Sequence, residues 1–101
     1  MAELLFTYDN YLADPAIRER SWVARRDNPA WNAEPNAAHA ALVELERAGR
    51  TVTIITQNID RLHQRAGSTP QRVLEIHGNM FDVVCVACDY RSSMAATLER
   101  V

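Results

Sequence analysis

The feature that most constrains the fold is a run of six residues, Thr51–Thr56, in which every residue is β-branched. Branching at Cβ disfavours helix and suits the pleated surface of a sheet. The apolar members of the run do not alternate strictly with the polar ones, which is typical of a parallel strand buried on both faces. We therefore predict a buried parallel strand over Thr51–Thr56.

Helix signals precede this run. Asp14 followed by Pro15 is typical of a helix start, and this helix is expected to end before Pro29. Asn36 is a good cap for a second helix, which Gly49 ends. The apolar residues that recur at helical spacing in this second helix are Ala38, Ala41, Leu42, Leu45 and Ala48. Helices leading into a buried strand indicate an α/β fold.

Shorter elements are predicted after the first strand. They are a helical turn over Arg61–Arg65 closed by Gly67, a strand over Arg72–Ile76, a strand over Met80–Cys85, and a final helix capped by Ser92 or Ser93 and running to Val101. Three strands are few for a complete α/β domain. We therefore expect a single incomplete domain over residues 1–101.

Polar residues follow two of these strands. Gln57, Asn58, Ile59 and Asp60 come directly after the first strand, and His77 follows the second. Ligands of open α/β sheets bind beyond the carboxyl ends of the strands, so both groups are expected at one site if the strands are adjacent and parallel. The amides suit ribose hydroxyls or an ordered water, the carboxylate can accept from a carboxamide, and the imidazole can take a proton from a hydroxyl.

Structural roles for the same residues stay open at this point. Asn and Asp are common turn formers after a strand, and Asp60 can equally cap the helical turn that follows. A single histidine at a strand end, such as His77, is more often structural than catalytic. These residues alone therefore do not identify a ligand.

The two cysteines, Cys85 and Cys88, are spaced C-x-x-C. Two cysteines do not make a disulfide scaffold, and a reducing compartment would keep them as thiols. Metal binding, reduced structural cysteines and redox chemistry are the three interpretations that this spacing allows.

Composition narrows the class of protein. A formal net charge of −2 argues against a nucleic-acid binder that depends on bulk attraction to phosphate. No apolar run approaches the roughly 20 residues that span a bilayer, and the N-terminal residues lack the basic start of a secretory signal. We expect a cytoplasmic protein with no membrane or nucleic-acid partner. All eleven basic residues are Arg, which hints at a GC-rich bacterial genome.

Four segments together resemble the sirtuin family in order and spacing. They are Glu34–His39, Ile55–Gly67, Leu74–Gly78 and Cys85–Cys88. The resemblance implies part of a Rossmann-like, sirtuin-type domain with half of a small zinc-ribbon subdomain. It implies a mostly helical small-domain part over 1–50, Rossmann strands with the catalytic loops over 51–79, and the start of the zinc-binding subdomain over 80–101.

The same resemblance implies an NAD-dependent protein-lysine deacylase. In that family the acyl group of a lysine passes to ADP-ribose and nicotinamide is released. The resemblance makes His77 the catalytic base, Gln57 and Asn58 binders of the nicotinamide ribose and a water, and Asp60 the partner of the nicotinamide carboxamide. Ile59 would add backbone and apolar contact. Cys85 and Cys88 would supply two of four zinc ligands.

Other features depart from the family pattern. The chain has only three glycines and no glycine-rich loop to hold a diphosphate, and the family's second cysteine pair is not present. We therefore expect a central fragment that is inactive alone. A Trp22-x-x-Arg25 pattern stands where members that remove acidic acyl groups carry Tyr-x-x-Arg, so acetyl is the expected group. The alternatives are a non-catalytic truncated product, which could self-associate through exposed strand edges, and a zinc-binding or interaction module.

Overall fold

The computed structural model describes residues 7–101, which form five α-helices, four strands and two short 3₁₀ helices. The helices are α1 (Tyr8–Ala13), α2 (Pro15–Arg26), α3 (Ala37–Arg47), α4 (Leu62–Ala66) and α5 (Met94–Leu98), with 3₁₀ helices at Pro29–Asn32 and Pro70–Arg72. The strands are β1 (Ile54–Thr56), β2 (Val73–Glu75), β3 (Asp82–Val84) and β4 (Arg91–Ser93). The chain divides into two compact units. One is Pro29–Met80; the described part of the other is residues 7–28 with Phe81–Val101.

The sheet of the first unit pairs β1 with β2 in parallel, with Ile54 opposite Val73 and Thr56 opposite Glu75. The predicted adjacency of these two strands is therefore confirmed, although β1 begins three residues later than expected. The prediction that the first strand is buried on both faces is wrong. Ile55 is 68% exposed, because nothing in the described chain covers the face of the two-stranded sheet on which it lies.

Helix α3 of this unit begins as predicted. The Asn36 side chain accepts from the backbone N–H groups of Ala38 and His39, and His39 Nδ1 accepts from the Asn36 N–H. This reciprocal capping satisfies N–H groups that a helix start otherwise leaves unpaired. The predicted apolar set is only partly right, because Leu45 is 48% exposed whereas Val43 is the buried residue of the helix.

The second unit combines helices α1 and α2 with a hairpin and α5. Asp14 caps α2 as predicted, by accepting from the Ala16 N–H at 2.9 Å. Strands β3 and β4 pair antiparallel, and Ser93 caps α5 through the Ala96 N–H. Helix α1 and strand β4 were not predicted. The sequence of β4, Arg-Ser-Ser, has no apolar pattern of its own, and its strand state depends on pairing with β3.

Three further predictions concern membrane spans, the N-terminal residues and the division of the chain into parts. No helix within residues 7–101 is long and apolar enough to cross a bilayer. The expectation drawn from the N-terminal residues falls largely on residues 1–6, which lie outside the described part. The three-part division at residues 50 and 79 stays a prediction.

Candidate functional site

Two segments at the carboxyl ends of β1 and β2 form the candidate site. We call Gln57–Asp60 the β1 loop and His77–Asn79 the β2 turn. The Ile76 N–H donates to the Thr56 carbonyl at 3.1 Å, which carries the pairing of the strands to their ends. The Met80 N–H then donates to the Ile59 carbonyl at 2.9 Å. The structure therefore brings the two predicted groups of polar residues side by side.

Local hydrogen bonds shape the β1 loop. The Asn58 N–H donates to Thr56 Oγ1 at 3.0 Å, and the Leu62 N–H donates to Asp60 Oδ1 at 3.0 Å. The turn-forming role considered for Asp60 is therefore present in the structure. The Asp60 carboxylate can still accept further hydrogen bonds, because a carboxylate offers about four lone pairs on two oxygens. Gln57, Asn58 and Ile59 are exposed to solvent, so the loop can be reached by a ligand.

The residue that follows Asp60 adopts an unusual backbone conformation. Arg61 has φ of 56° and is the one non-glycine residue with a positive φ within residues 7–101. The left-handed conformation costs an L-residue roughly 1–2 kcal/mol. This conformation turns the chain sharply from the loop into α4.

The β2 turn presents His77 at the surface. Its side chain belongs to an exposed residue, and the Gly78 N–H donates to the Glu75 carbonyl at 3.0 Å to close the turn. Gly78 has φ of 73°, a conformation that favours glycine. Apart from its two chain neighbours, a Cβ built at Gly78 would meet no atom within 4 Å, so the space around Gly78 is open.

One carboxylate, that of Glu75, meets side chains from the β2 turn and from the segment that directly follows the β1 loop. Glu75 Oε2 accepts from Gln64 Nε2 at 3.2 Å and lies 3.5 Å from Arg61 Nε. Glu75 Oε1 accepts from Asn79 Nδ2 at 3.4 Å. We did not predict a site role for Glu75 from the sequence. The available signal was a charged residue between Leu74 and Ile76 in an apolar strand.

A pair of histidines lies behind the β1 loop. The rings of His39 and His63 meet edge to face with centroids 4.8 Å apart. His63 Nδ1 is buried and has no hydrogen-bond partner in the part of the chain that the structure describes. Burial lowers the pKa of His63, the neighbouring His39 lowers it further, and the Asp60 carboxylate opposes both. The neutral ring is therefore the form that suits this position.

The two cysteines lie in the other unit, at the hairpin between β3 and β4. Both are free. Cys85 Sγ accepts from the Ala87 N–H and Cys88 Sγ accepts from the Tyr90 N–H, each at 3.4 Å. The pKa of the Cys85 thiol is lowered, mainly by the hydrogen bond from the Ala87 N–H and to a smaller extent by the hydrogen bond with the Cys88 side chain. Among the described residues, no group of three or more His, Cys, Asp or Glu side chains is placed to hold a metal ion.

Comparison with known proteins decides the family. The model of the family described as "SIR2: Sir2 family" matches residues 2–101. The chain belongs to the Sir2 family. The resemblance inferred from the four sequence segments is therefore confirmed, and the α/β sirtuin-type fold is confirmed with it.

Relatives of this Sir2-family chain are named for one type of activity. It is 53% identical over 100 residues to NAD-dependent protein deacetylase 2 of Streptomyces coelicolor, which covers 99% of this chain and 42% of that protein. It is 44% identical over 95 residues to NAD-dependent protein deacylase of Thermococcus kodakarensis, covering 92% and 35% respectively.

Solved structures agree with this assignment. A structure of Sir2Tm bound to a propionylated peptide matches with a TM-score of 0.81 and 35% identity, covering 97% of this chain and 40% of that one. The Sir2-family chain thus spans less than half the length of the relatives that it matches.

Proposed function

We propose that this chain takes part in NAD-dependent protein-lysine deacylation, in which the acyl group of a lysine passes to ADP-ribose and nicotinamide is released. The observation that carries the proposal is the hydrogen bond from the Met80 N–H to the Ile59 carbonyl, because it holds the β1 loop beside the residue that directly follows the β2 turn. The printed names of the relatives, deacetylase and deacylase, support the same activity.

His77 acts as the general base. Its exposed position on a tight turn lets it reach a ribose hydroxyl, and a histidine can accept a proton near neutral pH. The open space beside Gly78 allows a sugar to approach without displacing a side chain. His77 would take the hydroxyl proton so that the sugar oxygen can receive the acyl group.

The β1 loop binds the nicotinamide end of the dinucleotide. The amides of Gln57 and Asn58 can donate to and accept from ribose hydroxyls and a water, and the Asp60 carboxylate can accept from the carboxamide NH₂. Ile59 offers a partly exposed apolar side chain beside them. These donors and acceptors fit NAD. When bound, NAD supplies the ribose carbon that receives the acyl oxygen and the nicotinamide that leaves.

The protein substrate carries an acyl-lysine, and we propose acetyl as the acyl group. Arg25, the cation of the Trp22-x-x-Arg25 pattern, donates to Ser21 Oγ, which belongs to a fully buried residue. Its guanidinium also lies 5.6 Å from the Trp22 ring centroid and 5.9 Å from that of Tyr11. A guanidinium held in this way is poorly placed to receive an acidic acyl chain.

We further propose that Cys85 and Cys88 hold zinc as half of a zinc ribbon. A backbone N–H group donates to each sulfur, and the lowered pKa of the Cys85 thiol favours its thiolate, which is the form that binds zinc. Two thiolates are half of the usual four ligands, so the other two must come from outside the described residues. Free cysteines suit the reducing cytoplasm, and we propose that location for this protein. We further propose a bacterial source and no nucleic-acid or membrane partner.

A second candidate function is association through the open face of the β1–β2 sheet. Ile55, Leu74 and Ile76 are 68%, 48% and 56% exposed. An apolar surface of this kind favours contact with another protein segment, including a second copy of the chain. Sedimentation velocity of the chain and of an Ile55→Thr variant tests this. A monomer at every concentration would exclude self-association.

A chimera tests the deacylase proposal. This chain would replace the matching segment of the S. coelicolor deacetylase, which supplies the rest of a family member's length. We expect release of nicotinamide and deacetylation of an acetyl-lysine peptide, with His77→Ala reducing deacetylation at least about 100-fold. His39→Ala is the matched control, because it removes a histidine whose contacts are structural. A chimera that is folded but inactive would contradict the proposal.

A further inference from the structure

The Glu75 carboxylate is placed differently from the other acidic groups near the site. Its side chain is 17% exposed, and it stands at the last position of β2, two residues before His77. Three side chains converge on its two oxygens, Arg61 and Gln64 from the start of α4 and Asn79 from the β2 turn. A carboxylate that is mostly shielded from water gains more from such partners than an exposed one does.

These three partners come from the β2 turn and from the segment that directly follows the β1 loop. Arg61 directly follows Asp60 of the β1 loop, and Gln64 lies on α4, which begins there. Asn79 closes the β2 turn that carries His77. One carboxylate therefore joins the exit of the β1 loop to the turn of the catalytic base. A direct backbone link between the loop and the segment after the turn is the bond from the Met80 N–H to the Ile59 carbonyl.

We propose that Glu75 is a positioning residue, which fixes the β2 turn and His77 relative to the β1 loop. The proposal rests on the deacylase function proposed above. Glu75 touches neither substrate in this scheme and acts through Arg61 and Asn79. Because Arg61 holds a left-handed conformation, the contact with Glu75 also helps to keep the chain turned sharply after Asp60.

The consequence for the reaction is specific. In the proposed reaction the β1 loop acts in the first step, in which nicotinamide leaves. His77 acts in the later step, in which it removes the hydroxyl proton and the acyl group passes to the sugar. Removing His77 should impair only the later step. Removing Glu75 should impair both, because both halves lose their common support. A misplacement of about 1 Å can cost on the order of 100-fold in rate, so a loss of 10-fold or more is expected.

The first experiment uses the chimera with the S. coelicolor deacetylase. Glu75→Ala, Glu75→Gln and His77→Ala are compared for deacetylation and for exchange of labelled nicotinamide into NAD. Glu46→Ala is the control, because the Glu46 carboxylate likewise accepts hydrogen bonds, from the backbone and hydroxyl of Thr69, yet contacts neither half of the site. Rates are divided by the folded fraction measured by circular dichroism.

We expect Glu75→Ala to lower kcat for deacetylation and for exchange at least about 10-fold, with KM for the peptide within about twofold. Glu75→Gln should recover part of the loss, because its amide keeps the length and one acceptor oxygen. His77→Ala should lower deacetylation alone. A loss after Glu75→Ala no greater than that after Glu46→Ala, or one confined to deacetylation, would overturn the proposal.

The second experiment needs no activity and separates this proposal from the deacylase proposal. Amide hydrogen exchange of the 101-residue chain reports the bond from Met80 to Ile59. Glu75→Ala and Glu75→Gln should speed exchange at Met80 and Gly78 relative to the Val43 amide, whereas Glu46→Ala should not. Unchanged relative protection in both Glu75 variants overturns the positioning role, even if the chimera is an active deacylase. If the chimera is inactive but the Glu75 variants change this protection, the deacylase proposal is contradicted and the structural role of Glu75 stands.

Discussion

Gly67, the residue that ends α4, provides a quantitative test of the packing behind the candidate site. Its φ is 121°, a conformation that side chains of L-residues rarely adopt. A Cβ at this position would lie 3.3 Å from Val43 Cγ1 and 3.4 Å from Arg47 Nη2, both on α3. Val43 is 4% exposed, so it has little room to move away. Gly67→Ala therefore combines a backbone cost with a packing cost.

The two costs can be separated by Gly49→Ala. Gly49 has φ of 92°, and a Cβ there would meet nothing within 4 Å. A strained backbone costs about 1–3 kcal/mol, and forcing a methyl group into a packed region adds about 1–3 kcal/mol. We expect Gly67→Ala to lower the free energy of unfolding by about 3 kcal/mol and Gly49→Ala by about half of that.

Urea unfolding of the chain, followed by circular dichroism, measures both losses. In a Val43→Ala background the Gly67→Ala methyl group has space, so the difference between the two glycine variants should fall below about 0.5 kcal/mol. Equal losses for Gly67→Ala and Gly49→Ala would refute the packing argument. So would a difference that survives in the Val43→Ala background.

Three further predictions concern stability, pH and the cysteines. The pKa of His63 is lower in the folded chain than in the unfolded chain, so the unfolded state binds more protons as the pH falls below about 6.5, and the free energy of unfolding should fall with the pH. In His63→Gln, the urea midpoint should therefore depend less on pH between about pH 7.5 and 5. An unchanged pH dependence of the midpoint would contradict this. Asn36→Ala should lower the free energy of unfolding by about 1 kcal/mol by removing the acceptor for two N–H groups, whereas Asn36→Ser should lower it less. In the chimera, Cys85→Ser and Cys88→Ser should each reduce bound zinc measured by elemental analysis, and full zinc content in both variants would exclude the proposed ligands.

The success of sequence-based prediction followed the range of the interactions involved. Asp14 and Asn36 were correctly identified as caps, and Ser93 was one of the two candidates for the last helix, because each cap bonds to residues two or three positions away. Residues 51–53 have the same β-branched character as β1 but lie outside it, because a strand also requires a partner at each position. Local propensity does not report where the partner strand begins.

The residues of the candidate site likewise separate into those that the sequence predicted and those that it did not. The carboxyl ends of the strands indicated the β1 loop and His77, and the parallel pairing that brings them together is confirmed. The roles assigned to Gln57, Asn58, Ile59, Asp60 and His77 stay predictions. Glu75 was missed because its contacts with Arg61 and Gln64 exist only after α4 has folded back beside β2.

The bond between the Met80 N–H and the Ile59 carbonyl has a further consequence, for the order of folding. The two residues are separated by only about twenty positions, and α4 occupies part of the interval. Closing a loop of this length costs little entropy, and contacts that are near in sequence form early in folding. This end of the candidate site should therefore assemble from one short stretch of chain, ahead of contacts with more distant segments.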